Sequence, residues 1–124
     1  MKFYKCQHCG QVVVKVVDSS VPMICCGEEM EELVANSTDA AGEKHVPVVR
    51  VEGNHVHVEV GSVAHPMLDV HWICWVALET NQGYSIVHLN PGDAPAADFV
   101  LREGEEVKQV YEYCNLHGLW KTQL

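Results

Sequence analysis

The chain has 124 residues, enough for one ordinary domain or one domain with a small appendage. Its 48% apolar content excludes whole-chain disorder, and its formal charge of -9, with scattered lysines and arginines, argues against a nucleic-acid partner. The longest apolar run, Trp72–Leu78, falls far short of the roughly 20 residues a bilayer span needs. No apolar core of signal-peptide length follows Lys2 and Lys5, so a soluble cytoplasmic protein is expected. In that compartment six cysteines point to metal ligands or reactive thiols before disulfides.

In chain order, Val12–Val17 is a β-branched run broken only by Lys15, and a strand is expected there. Further strands are expected at Val46–Val51, His55–Val60, Trp72–Leu78, Tyr84–Leu89, Asp98–Leu101 and Val107–Tyr113. The His55–Val60 segment alternates strictly, with three valines on one face and His55, His57 and Glu59 on the other. Trp72–Leu78 is apolar on both faces, as in a strand covered on both sides. Glu52-Gly53-Asn54, Asn81-Gln82-Gly83, Asn90-Pro91-Gly92-Asp93 and Glu103-Gly104 supply the turns, and helical periodicity is almost absent. This density of strands implies an all-β sandwich or barrel. A polar, small-residue stretch near Asn36–Gly42 marks a boundary between residues 1–36 and 37–124. The first segment is too short for a sufficient core and needs a staple.

Cys6-x-x-Cys9 followed by Gly10, with the adjacent pair Cys25-Cys26 and Gly27, supplies four thiolates for one ion. Tetrahedral zinc and iron both suit that donor set, and structural zinc is the commoner use. Adjacent cysteines do not both point inward from a relaxed turn, so a distorted site is expected. His8 reads as a solvent-facing residue inside the knuckle.

A second constellation combines His45, His65, His71, Cys114 and His117, each at a loop or strand terminus, where a rigid β scaffold can present side chains to a shared ion. Pro66 restrains His65, and Gly118 leaves room behind His117. A blue-copper reading of Cys114-x-x-His117 is disfavoured because no methionine follows His117. His88 reads as an ordinary polar residue, His55 and His57 as a solvated strand face, and Cys74 as a small core residue.

Taken together, these segments resemble desulfoferrodoxin, the two-iron class of superoxide reductase. The similarity rests on Cys6-x-x-Cys9 with Cys25-Cys26, on Glu43-Lys44-His45-Val46-Pro47 and on Gly61-Ser62-Val63-Ala64-His65-Pro66-Met67. Pro91-Gly92-Asp93-Ala94-Pro95 and Cys114-Asn115-Leu116-His117-Gly118-Leu119-Trp120 complete it. The resemblance implies a desulforedoxin-like N-terminal domain with iron at the four cysteines, followed by an immunoglobulin-like β-sandwich or barrel. It implies a second mononuclear non-haem iron held by four planar nitrogens of His45, His65, His71 and His117, with Cys114 as axial ligand. The sixth position would be open, with Lys44 beside it and Glu43 occupying it in the ferric state. The activity implied is one-electron reduction of superoxide to hydrogen peroxide, with a rubredoxin-like electron donor and a homodimeric assembly. An electron carrier without substrate turnover, and a structural module with zinc at the cysteines, are the alternatives.

Overall fold

Residues 1–124 are all described by the computed structural model, and the chain folds as two units, Met1–Val34 and Ala35–Leu124. The smaller unit contains β1 (Phe3–Lys5), β2 (Val12–Val14), β3 (Ile24–Cys25), β4 (Glu28–Glu29) and β5 (Glu31–Glu32). β1 lies between β2 and β5 in one antiparallel sheet, while β3 and β4 pair alone. Only Phe3, Met30 and Cys6 are buried apolar residues here, far too few for an independent hydrophobic core. The unit therefore depends on its cysteines.

The expected strand at Val12–Val17 stops at Val14, and Val16 and Val17 are exposed. Polar contacts of Lys15 explain the break. Its ammonium bonds Asp18 Oδ1 and the Val21 carbonyl, both at 3.0 Å, and lies 5.1 Å from the centre of the Tyr4 ring. Asp18 also accepts the Ser20 N–H, closing a turn where β-branching alone favours extension.

The larger unit begins with one helical turn, α1 (Gly42–His45), and continues through β6 (Pro47–Glu52), β7 (His55–Val60), β8 (Ile73–Thr80), β9 (Tyr84–His88), β10 (Ala96–Val100), β11 (Val107–Cys114) and β12 (Gly118–Gln123). All pairings are antiparallel, in two open sheets of order β10-β7-β6 and β12-β11-β8-β9. The expected alternation in β7 holds. Val56, Val58 and Val60 are wholly buried, and they pack with Ile73, Val76, Leu78, Phe99, Val110 and Cys114 between the sheets. Trp75–Leu78 of β8 is buried on both faces, as the apolar run required. Cys74 departs from the core role expected of it. It is half-buried, with its sulfur 3.8 Å from the Trp72 carbonyl. No helix is long and apolar enough to cross a membrane.

On the outer face of β7, Asp98 of β10 accepts from His55 Nε2 at 2.9 Å and from His57 Nδ1 at 2.8 Å. His57 Nε2 lies 3.2 Å from Glu59 Oε1. These histidines serve a partly solvated polar network, as expected, and His88 is exposed.

At the far end of the sandwich, Glu105 joins two loops. It accepts the Thr80 hydroxyl at 2.6 Å, the Arg102 backbone N–H at 2.7 Å and Arg102 Nε at 3.0 Å. These donors, the Thr80 hydroxyl foremost, hold its carboxyl down at about 2. Because the folded value lies below the unfolded one, its contribution is complete above the ordinary carboxylate range and disappears as pH falls through about 2. Glu105→Gln is therefore expected to lower the unfolding midpoint at pH 7. The gap to the parent should narrow steadily in denaturation curves taken from pH 5 down to pH 2.

Candidate metal centres

Four sulfurs converge in the small unit. The Sγ atoms of Cys6, Cys9, Cys25 and Cys26 all lie within 4.8 Å of one another. The Cys9 and Cys25 sulfurs are 3.6 Å apart, too far for a disulfide and close to the ~3.8 Å edge of a tetrahedron with ~2.3 Å metal–sulfur bonds. The first knuckle works as its glycine demands. Gly10 adopts φ +81° and returns its N–H to the Cys6 carbonyl at 3.0 Å, while the Cys9 N–H points at Cys6 Sγ at 3.4 Å.

The adjacent pair costs backbone strain, because Cys26 takes a left-handed φ of +52° before Gly27 at +78°. Amide donation, first from Cys9 and then from His8, draws the Cys6 thiol down to about 6. The Cys9 and Cys6 sulfurs push Cys25 up to about 12. One thiolate forms readily, and Cys25 and Cys26 resist further negative charge until a cation arrives. His8 points outward to Glu28 at 2.9 Å.

The second group assembles across the larger unit. His45 closes α1, His65 and His71 stand on the segment between β7 and β8, Cys114 ends β11, and His117 sits in the turn before β12. Their five ligand atoms lie within 4.8 Å of one another. Consecutive rings are perpendicular: His45–His65 at 77°, His65–His71 at 80°, His71–His117 at 81° and His117–His45 at 84°. Their centroids are 4.6–5.1 Å apart, so the four imidazoles close a pinwheel. The Cys114 sulfur is 3.9 Å from His117 Nδ1.

The tautomers reveal what this group is for. His45 Nδ1 donates to the Ala41 carbonyl at 2.8 Å, and His65 Nδ1 donates to the Pro66 carbonyl at 2.6 Å. Their Nε2 atoms then carry lone pairs, yet face each other at 3.2 Å. His117 Nδ1 stands 3.1 Å from the same His45 nitrogen. His71 Nε2 is buried with no hydrogen-bond partner. The facing lone pairs of His45 and His65 repel, and a cation among these nitrogens removes that repulsion and gives His71 Nε2 a partner. The residues present thus fit a metal, through three Nε2 atoms, one Nδ1 atom and a sulfur.

Burial depresses the affinity of His45, His65 and His71 for protons, His65 to about 4, keeping the rings in the neutral ligating form. The Lys44 charge adds to this effect at His71. Burial raises the Cys114 thiol, while N–H groups of Leu116 and His117 oppose that shift. Glu112 stands two residues before Cys114, wholly buried and without a partner. Burial pushes it up to about 9, so at neutral pH it places no anion beside the sulfur.

Several supporting groups escape a reading of the sequence. Asn115 accepts the Trp72 N–H at 2.9 Å and donates to the Val70 carbonyl at 3.0 Å, fastening the His71 loop to the Cys114–His117 turn. Trp120 stacks on His45 at 4.9 Å and donates its indole N–H to the His117 carbonyl. An asparagine between two candidate ligands was the one visible hint; the carbonyls of Ala41 and Pro66 left none.

An all-β chain with a four-sulfur centre and a separate four-imidazole, one-sulfur centre defines a class of protein built to hold two mononuclear metals. Comparison with known proteins narrows it. The family model described as Desulfoferrodoxin matches residues 37–123. The desulfoferrodoxin of Syntrophotalea carbinolica is 45% identical, over 99% of this chain and 96% of its own length. A superoxide reductase of Pyrococcus horikoshii is 35% identical, over 71% of this chain and 91% of its own. The crystal structure of the superoxide reductase from Treponema pallidum superposes with a TM-score of 0.82 at 36% identity, over 98% of each chain. The chain belongs to the desulfoferrodoxin family.

Metal analysis checks the independence of the centres. The reconstituted protein should bind two equivalents. Cys26→Ser should lose only the first, and Cys114→Ser only the second; Asn115→Ala should weaken the second by about 10–100-fold through misaligned ligands. Loss of both metals in either single cysteine variant would contradict separate centres.

Proposed function

We propose that this chain is a superoxide reductase, an oxidoreductase converting superoxide, one electron and two protons to hydrogen peroxide. The observation that carries the reading is the pinwheel of four imidazoles with a wholly buried thiol among their ligand atoms, and with exposed Glu43 and Lys44 adjoining His45 in sequence. In this reading residues 37–124 form the catalytic domain, and iron occupies both centres. Ferrous iron held by His45, His65, His71, His117 and Cys114 would supply the electron and a place for a small anion to bind.

The chain's own residues do the rest. Four neutral imidazoles and one thiolate leave a ferrous centre at +2 - 1 = +1, a local attraction for an anion on a protein whose formal charge is -9. Lys44 adds a second local cation, near enough to His71 to oppose its protonation. It steers superoxide to the site and, through water, delivers a proton. Glu43, exposed on the same turn, is the carboxylate that would compete with small anions for such a metal and so favour release of the product. As a ligand, the Cys114 thiolate would lend electron density to the metal, a lever that thiolate ligands use elsewhere.

The four-cysteine iron in residues 1–36 acts as an electron relay or dimer staple. The exposed Val16, Val17, Val21 and Ile24 of the small unit support a homodimer formed through that unit. A rubredoxin-like protein is the proposed donor, and the free thiols suit the reducing cytoplasm.

Pulse radiolysis tests the reading. The iron-loaded protein should consume superoxide stoichiometrically on reduction, with second-order capture. Lys44→Ala should slow that capture roughly tenfold and flatten its dependence on ionic strength, since local fields of this kind set encounter rates. Capture at the parent rate with unchanged salt dependence would remove Lys44 from the account, and absence of any reaction would remove the activity.

A further inference from the structure

The turn carrying Glu43 and Lys44 is too short to hold its own shape. α1 has four residues, and an isolated helical turn is unfavourable. Two of its hydrogen bonds are local: Lys44 N–H donates to Ala41 O at 3.1 Å, and Val46 N–H to Gly42 O at 2.9 Å. The Glu43 carbonyl has no such recourse. Its helical partner would be the N–H of the residue four positions on, which is Pro47 and has none.

The segment after β7 satisfies that carbonyl. Val63 N–H donates to Glu43 O at 2.9 Å, and the Ser62 hydroxyl donates to the same oxygen at 3.2 Å. Gly61 makes the approach possible. A Cβ there would lie 2.7 Å from Glu43 O, 3.0 Å from Val46 O and 3.1 Å from the Lys44 carbonyl carbon, all backbone atoms. Gly61 is required for lack of space, not for a left-handed backbone.

The clamping segment is itself tied down by hydrogen bonds. Val60 N–H donates to Pro95 O at 2.8 Å, and His65 N–H to Val60 O at 2.9 Å. With Val60 also buried in the core, the backbone that offers these donors is held in place. One short stretch thereby presents the His65 ligand and also holds the turn of His45, Glu43 and Lys44.

We propose that Ser62 and Gly61 are positioning residues that set where Glu43 and Lys44 stand at the second centre, through the clamp on the Glu43 carbonyl. The inference rests on the superoxide reductase reading, in which Glu43 competes for the open position of the oxidised centre. Loosening the clamp spreads the carboxylate over more positions and lowers its effective concentration there. An external anion then competes more successfully.

The test is azide binding to the oxidised, iron-loaded protein, followed by visible absorption, in Ser62→Ala, Ser62→Thr, Gly61→Ala and Glu43→Ala. Ser62→Ala should bind azide about threefold to tenfold more tightly, the range expected when one hydrogen bond is lost. Ser62→Thr, which keeps the hydroxyl, should restore the parent value. Gly61→Ala should exceed Ser62→Ala, and Glu43→Ala should bind azide at least as tightly as either. If Ser62→Ala and Gly61→Ala match the parent while Glu43→Ala binds more tightly, the clamp is wrong and the role of Glu43 stands. If Glu43→Ala also matches the parent, the competition by Glu43 fails and takes the clamp with it.

Discussion

Buried imidazole nitrogens cannot face one another with lone pairs on both sides unless something positive lies between them. His45 and His65 have committed their Nδ1 protons to the Ala41 and Pro66 carbonyls, leaving two bare Nε2 atoms 3.2 Å apart. His71 Nε2 joins them, buried and unpartnered, and His117 Nδ1 closes the ring. In water this arrangement would relax by protonation. Burial depresses that escape at three of the rings. The sandwich is thus folded around a position for a cation, and the local features of the larger unit make sense as ways to reach it.

The supports come from every direction. A single helical turn brings His45, Trp120 stacks beneath its ring, and Asn115 fastens the His71 loop to the turn that ends in His117. Cys114 belongs to the hydrophobic core itself, so the sulfur is dry, while Lys44 and Glu43 remain exposed. A buried sulfur ligand together with exposed Glu43 and Lys44 beside His45 in sequence accords with the proposed electron donation to a small anion. The small unit follows a different logic. With so few buried apolar side chains, its four sulfurs would supply, through a shared metal ion, the cohesion that a core otherwise gives.

Much of this was legible in the chain, for reasons that differ from element to element. The alternation of His55–Val60 fixes both the strand and its buried face, because a period of two has one reading when three valines must be covered. Val12–Val17 misled, since β-branching signals extension but cannot report the tertiary contacts of Lys15 that turn the chain after Val14. β12 escaped because Gly118–Gln123 mixes large apolar and polar residues without clear alternation; pairing with β11 makes it a strand. The four cysteines announce themselves by spacing. The second centre is less plain, since His45 and His117 are 72 positions apart; its residues were marked by their places at loop and strand ends, and the family resemblance implied their arrangement around one ion. The carbonyl acceptors, the contacts of Trp120 and the clamp on Glu43 are properties of folded geometry that no local pattern encodes; Asn115 alone was hinted at, by its place between Cys114 and His117.

The most direct test is a crystal structure of the chemically reduced, iron-loaded protein, with anomalous diffraction locating the iron. The account predicts an iron bonded to His45 Nε2, His65 Nε2, His71 Nε2, His117 Nδ1 and Cys114 Sγ, with no protein atom opposite the sulfur. An iron lacking any of those five ligands, or one whose sixth position is filled by Glu43 in the reduced state, would contradict it.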